Sequence, residues 1–80
     1  MKARVHIFYK DSVFDPQGNT VQHSLQQLGF QQASSVRIGK VIDVEVKSAT
    51  HEEAKKLAEK MCETLLVNPV MESFQVEILD

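Results

Sequence analysis

Val36-Arg37-Ile38-Gly39-Lys40-Val41-Ile42-Asp43-Val44-Glu45-Val46 is the stretch on which the fold turns. Every even position except Lys40 is apolar, while Arg37, Asp43, Glu45 and the following Lys47 put charge on the odd ones. A period of two marks a strand with one face in a core and the other in water. The unbroken parity constrains what Gly39 can do. A two-residue turn at Gly39-Lys40 would set Ile38 opposite Val41 and send Ile42 and Val44 to the wrong face. Two arrangements survive: a hairpin with a three-residue loop over 39–41, or one long strand kinked near Gly39. The expectation leans to the long or bent strand, which at about 3.3 Å per residue would reach beyond a small monomer and pair with a partner.

The flanking segments supply the other elements. Over 3–9, Ala3, Val5, Ile7 and Tyr9 share one face and Arg4, His6 and Phe8 the other, a half-buried strand whose Phe8 suggests a second covered face. Over 72–79, Phe74, Val76 and Ile78 oppose Ser73, Gln75 and Glu77. A helix is expected from Asp15 as N-cap with Pro16 at N1, and Val21, Leu25 and Leu28 form its stripe. Gly29 fits the left-handed position after its end, with Phe30 folding back. Thr50-His51-Glu52-Glu53 is a capping box for a second helix. Its expected buried stripe is Ala54, Leu57, Ala58, Met61 and Leu65, and Asn68-Pro69 stops it. The order β-α-β(β)-α-β predicts a two-layer α+β sandwich. It pairs a mainly antiparallel sheet with two helices on one face, similar to the split βαβ or ferredoxin-like arrangement.

Composition limits the possibilities. Eighty residues with 42% hydrophobic and 25% charged side chains read as one globular domain spanning 1–80. A chain this short buries only about 60% of its unfolded surface. Its one cysteine, Cys62, cannot pair within the chain, so association is the available source of further stability. Nine Lys plus Arg against eleven Asp plus Glu leave a net charge of -2, which disfavours nucleic acid as a partner. The central strands also lack the stacking aromatics of an RNA-recognition domain. Met1-Lys2-Ala3-Arg4 runs straight into a strand pattern and no apolar run has membrane length, so a cytoplasmic protein without a membrane partner is expected.

Few residues could carry chemistry. Cys62 beside Met61 reads as a small hydrophobe rather than a nucleophile. His6, His23 and His51 have no metal-ligand spacing. Asp15, Pro16 and Gly18 are accounted for by helix capping. Arg37, Gly39 and Lys40 put two cations around a glycine, able to bind an anion or a partner's carboxylates, or to form a solvated bend. Asn68 and Pro69 can be a helix stop alone. Glu72 has no obligatory local role, so an intersubunit contact and simple exposure are both open.

Taken together, Asp15-Pro16-Gln17-Gly18, Val36-Arg37-Ile38-Gly39-Lys40 and the stretch through Met61-Cys62-Glu63-Thr64-Leu65-Leu66-Val67-Asn68-Pro69-Val70-Met71-Glu72 resemble the PurS family. Its members are the small subunits of bacterial formylglycinamide ribonucleotide amidotransferase. The segments look like that family's DPQG or DPRG, RxGK and LLxNPVxE motifs, in order and spacing. The resemblance implies a non-catalytic partner in de novo purine synthesis. It would bridge PurL and PurQ and assist ammonia transfer, binding no cofactor itself, while PurL uses ATP and magnesium. It also implies self-association as a dimer or tetramer. On this reading Asp15, Pro16, Gly18, Arg37, Gly39, Lys40, Asn68, Pro69 and Glu72 are candidate partner or interface residues, with no catalytic or metal-binding residue among them. A ferredoxin-like small-molecule-binding regulatory module is the alternative. A small enzyme of acylphosphatase type would need a convergent cation and amide site, for which Arg37 with Asn68 is a poor pair.

Overall fold

In the computed structural model, which describes residues 1–79, the alternating segments become three strands: β1 (Lys2–Tyr9), β2 (Gly39–Glu45) and β3 (Glu72–Leu79). Helix α1 (Pro16–Gln27) lies between β1 and β2, and helix α2 (His51–Met61) between β2 and β3, continued by one π-helical turn, Cys62–Leu66. The sheet is antiparallel with order β2-β1-β3. Its register stacks apolar residues in cross-strand columns, Val44 with Ala3 and Ile78, and Ile42 with Val5 and Val76. The opposite face is mainly polar, with Phe8 and Val41 exposed on it. There Arg4 lies between Asp43 and Glu77 and makes a bidentate pair with Asp43 at 2.9 and 3.1 Å.

The 36–46 stretch takes neither expected arrangement, because a single unbroken pairing of seven residues, Gly39–Glu45, is all of it that joins the sheet. No hairpin forms: β2 starts at Gly39, and residues 36–38 leave the sheet there. All seven residues of β2 pair with β1, so the strand is shorter than expected and does not overhang its own neighbour. Among the described residues its outer edge has no neighbour within the chain.

Two expectations about the helices need correction. α2 is rotated relative to the anticipated stripe. Ala54, Ala58 and Cys62 are buried against the sheet, whereas Leu57, Met61 and Leu65 are exposed. Small side chains at i, i+4 and i+8 let the helix sit close to the strands, and the larger ones flank the contact. The second correction concerns α1, which packs extensively on no other element, so α2 alone covers the sheet face. The fold is α+β, with only one of its two helices housed.

Local signals hold elsewhere. Asp15 caps α1 with Pro16 in the first turn, and the Glu53 N–H donates to Thr50 Oγ1 at 3.1 Å. The reciprocal half of the capping box is replaced, because the Thr50 N–H points to Ser48 Oγ. Gly29 has φ +104°, and the Phe30 N–H donates to Leu25 O at 2.9 Å, a Schellman closure. No described helix is long and apolar enough to cross a membrane.

Candidate functional site

The three motifs, far apart in the chain, meet at the end of β1. Asp15 is the junction of the first two. Its Oδ1 accepts the Gly18 N–H at 2.8 Å as an N-cap should, and its Oδ2 accepts the Ile38 N–H at 2.7 Å, 23 residues away. One carboxylate thus starts α1 and fixes the segment that enters β2. It is buried, and its pKa is held below the ordinary 3.8, first by the Ile38 N–H, then by the Gly18 N–H and the nearby Arg37 charge, against the opposing effect of burial.

Gly18 and Gly39 are there because backbone comes close. A Cβ at Gly18 would run into the Val36 carbonyl oxygen, and a Cβ at Gly39 would lie 2.6 Å from the Ile7 carbonyl oxygen. Arg37 closes the same corner, its guanidinium donating to Lys10 O at 3.0 Å and Val13 O at 2.7 Å. Pro16 is exposed at the head of α1. Its part is to preset the first helical φ.

The third motif reaches this corner through Lys10. The Lys10 N–H donates to Met71 O at 2.9 Å, and Lys10 Nζ donates to Pro69 O at 2.8 Å. Asn68 organises the turn itself, with Oδ1 accepting the Val70 N–H at 3.0 Å and its carbonyl accepting the Glu72 N–H at 2.8 Å. Glu72 closes the ring. Its Oε1 accepts the Asn68 N–H at 2.8 Å, and its Oε2 lies 3.6 Å from Lys40 Nζ. Sequence reasoning gave Glu72 no local role, yet it joins the second motif to the third. Between them lies an open cleft of about 190 Å³, lined by Tyr9, Gln17, Ile38, Gly39, Lys40 and Glu72 among others.

Eight of the nine candidate residues therefore hold or flank one hydrogen-bonded corner, and Pro16 borders it. Lys10 was missed. In sequence it is a polar residue after a strand, and only the fold brings residues 69 and 71 to it. The corner is built to brace: among the described residues no buried side-chain nitrogen or oxygen lacks a partner. The exposed groups it presents include Lys40, Pro69 and Val70. Among the described residues no group of three His, Cys, Asp or Glu side chains is placed to hold a metal ion. His6 lies 3.3 Å from Glu77, and the thiol of Cys62 is fully buried with its pKa pushed up, chiefly by that burial.

Comparison with known proteins places this architecture. The family model described as "PurS: Phosphoribosylformylglycinamidine (FGAM) synthase" matches residues 2–80. The phosphoribosylformylglycinamidine synthase subunit PurS of Bacillus subtilis is 36% identical over 77 residues, covering 96% of this chain and 90% of that protein. The protein of the same name from Synechocystis is 40% identical over 76 residues, covering 95% and 76%. Among solved structures, a chain in the PurLQS structure from Thermotoga maritima superposes with a TM-score of 0.87 at 36% identity, covering 98% of this chain and 95% of that one.

Proposed function

This chain belongs to the PurS family, and on that premise we propose that it is the non-catalytic small subunit of phosphoribosylformylglycinamidine synthase in de novo purine synthesis. In this role it bridges PurL and PurQ and assists the passage of ammonia from the glutaminase PurQ to PurL, which converts formylglycinamide ribonucleotide to formylglycinamidine ribonucleotide. ATP and magnesium belong to PurL, and this chain holds neither. The family match over residues 2–80 carries the reading. The relative in the Thermotoga maritima PurLQS structure supports the assignment of partners. Self-association as a dimer or tetramer and a cytoplasmic location are part of the same proposal.

The corner at the end of β1 is the surface we assign to a partner. Its turn at 68–72 and its bend at 37–40 are locked together by Glu72, which presents a preorganised edge and leaves Pro69 and Val70 in solvent. The test is product formation by purified PurL and PurQ, with and without this chain, fed either glutamine or ammonium. Glutamine-driven turnover that requires the chain, beside ammonium-driven turnover that does not, is the expected result. Equal rates in its absence, with no complex on a sizing column, would overturn it. Substitution of Lys40 and Val70 together by Asp is expected to weaken complex assembly, and assembly that is unchanged would move the interface elsewhere.

A further inference from the structure

The covered face of the sheet is apolar except at one end. Ala3, Val5 and Ile7 of β1, Ile42 and Val44 of β2, and Phe74, Val76 and Ile78 of β3 share that face, and by the same register so do Tyr9, Lys40 and Glu72. Lys40 is the one break in the even-numbered apolar pattern of 36–46, and the register gives the break a place: all three strands bring a polar side chain to the same end of the same face. The cleft of about 190 Å³ is built on these three residues, with Gln17 from the head of α1 and apolar wall from Ile7, Phe8 and Ile38. Asp15 fixes that head against the segment entering β2, so strands and helix hold one another in position around the cleft.

The polar groups of the cleft are largely unspent. Among the described residues neither the Tyr9 hydroxyl nor the Gln17 side-chain amide has a hydrogen-bond partner. Lys40 Nζ and Glu72 Oε2 stand 3.6 Å apart, an ion pair too long to be a hydrogen bond. The Lys40 side chain is 57% exposed, so the pair is weak and opens at little cost. The other Glu72 oxygen is held by the Asn68 N–H at 2.8 Å, which keeps the carboxylate in place when Lys40 turns to another partner.

We propose that this cleft binds a free α-amino acid. Such a molecule carries a carboxylate and an ammonium one carbon apart, the complement of Lys40 beside Glu72, so each charge meets its opposite in a charge-assisted hydrogen bond that the protein's own pair does not make. A simple anion attracted by Lys40 is repelled by Glu72, and a simple cation meets the reverse conflict; a zwitterion with adjacent charges satisfies both. The volume sets the size. It equals about six waters, and it lies below the ~300 Å³ at which sites for drug-sized ligands begin, which suits one amino acid better than a nucleotide. The apolar wall takes the methylene groups, and the Gln17 amide and Tyr9 hydroxyl remain for a polar end. Because the ligand stands between Lys40 and Glu72, it joins the bend at 37–40 to the turn at 68–72, the two segments assigned above to a partner.

The site is inferred from the chain alone; only the choice of probes rests on the proposed function, in which a glutaminase consumes glutamine and forms glutamate. The isotope-labelled full chain, without PurL or PurQ, is titrated with glutamine, glutamate and serine while its backbone amides are followed by nuclear magnetic resonance. Glutarate, which has no ammonium, and γ-aminobutyrate, whose opposite charges are too far apart to meet both side chains, are the controls. Saturable shifts centred on Gln17, Gly39, Lys40 and Glu72 are expected for at least one of the amino acids, with both controls binding at least tenfold more weakly. Lys40→Gln and Glu72→Gln each remove one charge and keep a hydrogen-bonding side chain. Both are expected to leave the rest of the spectrum native and to weaken binding at least tenfold. No saturation by any of the three amino acids at millimolar concentration overturns the proposal. So does glutarate that binds as tightly as glutamate, which would make the cleft an anion site, or binding that survives both substitutions. Amino-acid binding that persists although the glutamine-dependent turnover test fails would remove the bridging role and leave the cleft assignment standing.

Discussion

Gly18→Ala separates helix propensity from tertiary contact. Within a helix, alanine is favoured over glycine by about 1 kcal/mol, and the φ of Gly18 is not in the left-handed region, so local reasoning predicts a more stable protein. The structure predicts the reverse. The new Cβ would collide with the Val36 carbonyl oxygen and stand 3.0 Å from Asp15 Oδ2, both parts of the backbone-to-carboxylate clasp rather than flexible side-chain ends. Relief requires the 36–38 segment to back away by on the order of 1 Å, which would stretch the 2.7 Å bond from the Ile38 N–H beyond useful length. An overpacked contact costs about 1–3 kcal/mol and an orphaned N–H about 1–3 kcal/mol. Subtracting the propensity gain leaves a net loss of about 1–5 kcal/mol, a large share of the ~4–12 kcal/mol available to 80 residues. At about 4–8 °C per kcal/mol for a domain of this size, the middle of that range, about 3 kcal/mol, lowers the melting temperature by roughly 12–24 °C. The assay is thermal and urea unfolding followed by far-ultraviolet circular dichroism at one fixed protein concentration, since an associating chain melts in a concentration-dependent way. Gly29→Ala is the comparison, open in space but at φ +104°, so it should lose about 1–2 kcal/mol through backbone strain alone. A Gly18→Ala protein that melts at or above the parent temperature would refute the reasoning.

Other outcomes follow from the same geometry. Because the folded-state pKa of Asp15 is depressed, its stabilisation is complete above the ordinary value of 3.8 and is lost as pH falls through the lower folded value. Asp15→Asn turns an amide NH2 toward one of the two N–H donors, so it should be less stable at neutral pH and show a flatter acid limb in pH-dependent urea midpoints. Cys62 has a raised folded pKa, so its contribution is complete below the ordinary 9.0 and declines as pH rises beyond it. A thiol reagent at pH 8 should leave Cys62 untouched in the folded protein and modify it fully in denaturant, and rapid labelling of the native chain would contradict its burial. Glu72→Gln keeps an acceptor for the Asn68 N–H and should lose under about 1 kcal/mol with the partly exposed Lys40 pair. Glu72→Ala removes both contacts and should lose about 1–3 kcal/mol in urea unfolding, and equal losses for the two variants would place the effect in the ion pair.

Much of the fold is legible because its signals are local. Asp15 with Pro16, Thr50 three residues before Glu53, and Gly29 before Phe30 each act over one helical turn, so the sequence names the contact and the structure contains it. The motif corner is different in kind. Its individual residues could be singled out, but the bonds that make it a site span 23 residues from Asp15 to Ile38 and 59 from Lys10 to Pro69, and no periodicity reports a separation of that sort. Gly18 illustrates the gap. In sequence it reads as a permissive residue in a weak first turn, whereas in the fold it is the place where α1 touches the strand-entry segment.

By itself the sequence determined which residues alternate, where each helix begins and ends, and that the 36–46 stretch keeps one parity throughout. Those are properties of adjacent residues, set by backbone sterics and by side chains reaching their own turn. Which face of α2 enters the core was decided only by the tertiary structure. Two apolar stripes stand side by side on that helix, Ala54-Ala58-Cys62 and Leu57-Met61-Leu65, and an amphipathic pattern admits either. Close approach to the sheet selected the small side chains for the core and left the large ones at the surface, because the distance between helix axis and strands is shared by many residues and belongs to none of them.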